Sequence, residues 1–292
     1  MGAAEEAAGI VNRAASIVLL VAVAAGCSTT TSGGVASRPS APVSTSSSVA
    51  PSTSTTTSVP ASTTSAATTT STVPGLLGEE TIGTSVQGRP ITAYHRGTAG
   101  GIVVLVVGVI HGNENDGLAI LDDLRTMPLP DGYDLWLLPA INPDGLANDV
   151  RGNGNQVDLN RNFPHDWTSI ARPGEWQYSG SGPASEPETQ AFMTFALRLH
   201  PALTLWYHQD AHTVGPSAGR DGPLRQRYAQ LTGLDYVSVT GGKYTGVAAT
   251  WVRKTMPDTM SFIIELGATL TAEQARVHAD AVVEIMQMIP NV

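Results

Sequence analysis

At 292 residues, with one cysteine and a formal net charge of −9, the chain excludes an internal disulfide framework. Its acidity and its lack of lysine or arginine runs also exclude nucleic acid as a partner. The charges ahead of residue 78 cancel, Glu5 and Glu6 against Arg13 and Arg38, so the negative balance sits on the remainder.

Ser16 to Gly26 is an apolar stretch too short to span a bilayer but suited to the core of a secretory signal. It ends in Ala-Ala-Gly before Cys27, an order that resembles a bacterial lipobox, in which the cysteine is lipidated and becomes the new N-terminus. Residues 1–27 are therefore expected to be a signal peptide with a lipobox. The expected address is outside the cytoplasm, with a lipid anchor to the membrane at Cys27. Glu5, Glu6 and the single Arg13 depart from the usual basic n-region, and the competing reading is a short buried helix with a core cysteine. Residues 28–77 are dominated by Ser, Thr, Ala, Pro and Val, which bury too little apolar surface to offset the entropy of ordering. A flexible tether of this length spans roughly 40 Å on average.

Residues 78–292 have the patterning of one folded domain. Glu80 to Tyr94 predicts two short strands around a turn at Gln87-Gly88. Ile102 to Val109 is continuous, apolar and β-branched, hence a strand buried on both faces. Helical spacing over Asp116 to Thr126 is stopped by Met127-Pro128, and Asp134 to Pro139 predicts another core strand. Beyond a long polar stretch, helices are expected over Glu186 to Leu199, Leu224 to Thr232 and Ala272 to Met288. Strands are expected over Leu203 to His208, Tyr236 to Val239 and Ser261 to Leu266. This alternation predicts a three-layer α/β/α sandwich on a mixed, largely parallel central sheet.

His111-Gly-Asn-Glu114 closes the first core strand, and an imidazole and a carboxylate at that spacing on a turn can reach one metal ion. Taken alone, the pair is equally a polar loop. A second polar cluster follows the next core strand, Asn142-Pro-Asp-Gly145, Arg151 and Asp158-Leu-Asn-Arg-Asn-Phe163, with Ser185-Glu-Pro-Glu-Thr189 further on. These motifs, in this order and with a later His and Glu at strand ends, resemble the zinc metallocarboxypeptidase family typified by carboxypeptidase A, including its bacterial branch.

The resemblance implies the carboxypeptidase fold for residues 78–292 and one zinc ion. It also implies hydrolysis, by metal-activated water, of an amide bond next to a free C-terminal carboxylate. His208, ending a core strand, is the expected third ligand with His111 and Glu114; His212 is the rival. Glu265 interrupts an apolar strand, where a charge is costly without a partner or a purpose, and it matches the family's general base. By resemblance, Arg151 polarises the carbonyl and Asn160 and Arg161 grip the substrate carboxylate, while Asp158 orients His111 and Tyr244 closes over substrate. Asn113 stands where digestive members carry an arginine, which leaves part of that grip unassigned. The expected substrate is a peptide or muropeptide. The alternatives are a murein peptide amidase cutting γ-glutamyl to diamino acid bonds and a non-catalytic cell-wall binding lipoprotein.

Overall fold

The computed structural model describes residues 75–292. Residues 1–74, and with them the expected signal segment, Cys27 and almost all of the expected tether, lie outside the described residues. The first strand, β1 (Leu76–Thr84), begins ahead of the boundary expected at residue 78 and pairs with β2 (Pro90–Gly97) from Leu76 opposite Arg96 onward.

β3 (Ile102–Val109), β4 (Tyr133–Ala140), β5 (Leu203–Gln209), β6 (Thr213–Val214) and β7 (Met260–Leu266) complete a sheet of order β1-β2-β4-β3-β5-β7-β6. The four central strands run parallel and the edges antiparallel. The apolar runs become central strands because both of their faces are covered. On one face Val104, Val106, Leu135, Leu205 and Phe262 pack under α1 (Gly117–Thr126), α4 (Gly222–Thr232) and α6 (Ala272–Met288). On the other Leu105, Val107, Leu138 and Trp206 pack against α3 (Pro187–Leu199) and α5 (Ala248–Thr255). The six-residue α2 (Pro143–Asn148) joins β4 to the polar loops. The result is the expected three-layer α/β/α sandwich.

Helix starts follow from the sequence. Pro187 opens α3, and Thr271 with Gln274 forms a capping box at α6. One expected strand does not form. Residues 236–239 make no ladder, because β6 is two residues long and its bridge on that side, from Thr213 to Asp235, stops at residue 235. The Thr213 hydroxyl donates to the carbonyls of Asp235 and Val237, which replaces strand pairing, and Val237 and Val239 remain exposed.

A buried polar relay crosses between helices: Tyr207 lies 3.0 Å from Tyr228, whose hydroxyl is 2.7 Å from Nδ1 of His278. Burial, helped by His212, pushes the His278 pKa down to about 4. The unfolded chain thus binds this proton first as pH falls, and the stability carried by neutral His278 is complete above pH 6.5 and lost between there and about 4. Wild type is expected to lose about 3 kcal/mol more than His278→Gln between pH 7 and pH 4. Urea midpoints of the two proteins measure this. A gap independent of pH would remove His278 from the account.

Candidate metal centre

The end of β3 delivers His111, and a tight turn, Glu114 N–H to His111 C=O at 3.0 Å, brings Glu114 back to the same point. Gly112 permits this turn to lie against α2: a Cβ there would sit 1.9 Å from the carbonyl carbon of Gly145. β5, the neighbour of β3, carries His208 as its next-to-last residue. The Nδ1 of His111 and one Glu114 oxygen are 2.8 Å apart, His208 Nδ1 and the other oxygen 2.9 Å, and the two Nδ1 atoms 3.1 Å. All three groups offer an atom within 4.8 Å of the others.

Two imidazoles and a carboxylate are a donor set for zinc, and ligands at about 2.0–2.1 Å in a tetrahedron stand roughly 3.3 Å from one another. The cluster is within about half an ångström of that spacing, so the residues fit the ion. His212 does not compete. It is exposed and faces a separate cavity beside His278.

Asp158 lies behind the cluster, fully buried. Its Oδ1 is 2.9 Å from His111 Nε2 and accepts the Asn160 N–H at 3.0 Å, while Oδ2 accepts from Arg151 Nε at 2.9 Å. Held by His111 Nε2, Asp158 thereby turns Nδ1 of that ring toward the cluster. Burial works to raise the carboxyls of Asp158 and Glu114. The paired imidazoles outweigh it, and both are held well below the usual carboxylate range. In His111 burial opposes the charged ring, and Asp158 and Glu114 raise its pKa in spite of that; in His208 burial prevails and the ring is held neutral.

β7 lies beside β5 in parallel register, with Glu265 opposite His208. Burial, with the nearby Glu114 carboxylate, pushes the Glu265 carboxyl up to about 7, against the pull of His111 and Arg151. Such a group takes and gives a proton near neutrality. All of these residues except Asp158 line one cleft, with Arg151, Asn160, Arg161 and Tyr244.

Arg151 donates to Glu114 at 2.8 Å and lies 4.5 Å from the ring centre of Trp176, a cleft residue 69% exposed that no sequence motif singles out. Asn160 accepts the Ala248 N–H at 3.0 Å and places Nδ2 3.2 Å from His208 Nε2. Arg161 is buried. The one hydrogen bond of its guanidinium among the described residues goes to the Asn160 carbonyl at 2.8 Å, and its Nε has no partner. Tyr244 is 56% exposed, with its ring centre 5.4 Å from the Arg161 guanidinium and its hydroxyl donating to the Gly241 carbonyl.

Two further residues support the site. The Asn142 side chain accepts the Gly145 N–H as the cap of α2 and donates to the carbonyls of Ile110 and Arg151, which ties the first ligand loop to the arginine. Gln209 donates its backbone N–H to Glu114 at 3.3 Å and its side-chain amide to Asp116 and Ala268.

The chain matches the zinc carboxypeptidase family profile over residues 64–214, which takes in His111, Glu114 and His208 and ends before Glu265. It is 31% identical to murein peptide amidase A of Escherichia coli K12 over 186 residues, 60% of this chain and 76% of that protein. It is 29% identical to carboxypeptidase SOL1 of Arabidopsis thaliana over 144 residues, 43% of this chain and 28% of that protein. The murein-tripeptide amidase structure from Escherichia coli O157 superposes with a TM-score of 0.59 at 24% identity, over 72% of this chain and 92% of that one. The carboxypeptidase A structure from Helicoverpa armigera gives a TM-score of 0.65 at 20% identity, over 74% of this chain and 69% of that one. Fold, donor set and family match agree, and the chain belongs to the zinc carboxypeptidase family, hydrolases that act on peptide bonds with zinc as cofactor.

Proposed function

We propose that the chain removes the last residue of a peptide by hydrolysing the amide bond next to its free carboxylate, outside the cytoplasm, and that its substrate is a murein peptide. The observation that carries the exopeptidase reading is Arg161. This guanidinium is buried in the cleft, has a free Nε, and among the described residues has no carboxylate within ion-pairing distance. A buried cation held this way suits an incoming carboxylate, which the planar fork can grip by two hydrogen bonds.

His111, Glu114 and His208 hold the zinc, which when bound supplies a Lewis acid and lowers the pKa of water. Glu265 takes the proton from the attacking water and returns it to the leaving amine. Arg151, fixed by Asp158 and Glu114, presents positive charge to the carbonyl oxygen as it becomes an oxyanion. Asn160 and Arg161 anchor the terminal carboxylate, and Tyr244, hinged among glycines, folds its ring down over it.

The name of the Escherichia coli relative favours a murein peptide, and the bond cut is proposed to be the one between γ-glutamyl and a diamino acid. The apolar segment before Cys27 supports export and a lipid anchor, and the Ser/Thr-rich stretch supports a tether between membrane and domain. Zinc-loaded protein offered α-linked peptides together with γ-glutamyl-diaminopimelate muropeptides, followed by mass spectrometry, is expected to release a single terminal residue from the muropeptides. Release only from α-linked peptides would move the substrate to ordinary peptides. Binding of muropeptides without any mass change would favour the non-catalytic reading.

A further inference from the structure

A second cavity, of about 280 Å³, opens against Glu265 and shares Tyr244, Val247 and Ile263 with the metal cleft, so the two are continuous. Its wall is unusual in charge. Arg225, from α4, and Arg253, from α5, both line it. Arg225 is neutralised: its Nε donates to Asp221 at 2.8 Å, and it donates also to the carbonyls of Gly215 and Ser261. Arg253 is different. It donates to the Ser261 carbonyl and, at 3.1 Å, to the Thr250 hydroxyl, and among the described residues it forms no ion pair. Asp221 forms its ion pair with Arg225, which leaves Arg253 without a counter-ion of its own; the one acidic side chain lining the cavity is Glu265, shared with the metal cleft. Burial and the neighbouring Arg225 both disfavour the charge on Arg253.

An unpaired, partly desolvated cation of this kind gains most from an anion that enters the cavity with its substrate. On the exopeptidase reading given above, on which this step rests, the terminal carboxylate is held at Arg161. The side chain of the released residue then has the adjoining cavity to enter. We infer that Arg253 is a specificity-determining residue, selecting a released residue whose side chain ends in a carboxylate. An acidic amino acid and the distal carboxylate of a diamino diacid both meet this description.

The test uses zinc-loaded protein and substrates identical up to the scissile bond, whose released residue is Glu, Gln, meso-diaminopimelate or diaminopimelate with its distal carboxyl amidated. Wild type is expected to prefer the acid of at least one pair over its amide by about tenfold or more in kcat/KM, mainly through KM. The pair that shows it names the source of the carboxylate. Arg253→Gln is expected to bring that ratio close to one, and Arg253→Lys, which keeps a cation, to retain part of it. Zinc content, measured in each variant, reports that the domain is intact. Acid-to-amide ratios near one in wild type, or a ratio unchanged in Arg253→Gln, would overturn the pocket assignment alone. Failure of wild type to cleave any of the four would overturn the exopeptidase reading, and this inference with it.

Discussion

Glu265→Gln is expected to lower kcat by about 10²–10⁴-fold while zinc content stays at the wild-type value. The amide keeps the size of the carboxylate and removes its ability to accept a proton. No contact between Glu265 and the three cluster residues is broken, because His208 meets Glu114 and His111, not Glu265. The pH dependence follows from the same geometry. Glu265 acts as a base only when ionised, so activity falls as pH falls through its pKa. In the metal-free site burial and Glu114 place that pKa at about 7. A bound cation lowers it, so the acidic limb of kcat/KM in the zinc enzyme is expected below pH 7, and the residual activity of the variant should lack it. Activity of Glu265→Gln within tenfold of wild type would assign the proton transfer to another group.

The sequence displays His111, His208 and Glu265 well because each stands at a break in an apolar strand. His111 and His208 follow β-branched or aromatic runs that could only be core, and Glu265 is a charge set inside such a run. Strand order was not legible in the same way. β4 inserts between β2 and β3, and nothing in their spacing records it. The short elements were missed for a related reason. α5 is eight residues preceded by Gly-Val, too short for its apolar face to repeat over several turns, and it packs against β7. Arg253, beside Lys254, is singled out by no motif in the sequence. Its partner Arg225, likewise, belongs to a helix whose sequence shows only weak amphipathicity. The two meet because β7 lies between β5 and β6, which brings α4 and α5 to the same edge of the site. The failure at residues 236–239 was the opposite kind: the residues alternate suitably, but no strand lies alongside to pair with them.

Asp158→Asn tests how far the metal centre depends on the carboxylate behind it. Both Asp158 oxygens face donors only, His111 Nε2 and the Asn160 N–H on one and two guanidinium nitrogens of Arg151 on the other. An asparagine must turn its NH₂ toward one of these sets, so a donor meets a donor whichever way the amide lies. If it faces His111, the ring loses the bond that fixes its orientation, and zinc affinity is expected to fall about 10–100-fold. If it faces Arg151, the guanidinium keeps only Glu114 and swings with it, which disturbs the second ligand instead. In either case a buried charge loses its partner, which costs about 3–5 kcal/mol. The loss should appear in metal-free protein above pH 4, where Asp158 is ionised in both the folded and the unfolded chain, and narrow as pH falls further because the unfolded chain takes up this proton first. Chelator competition measures the first effect and urea unfolding of chelated protein the second. Zinc affinity within twofold of wild type, together with unchanged stability, would mean that His111 is oriented by its own strand and turn, with Asp158 a bystander.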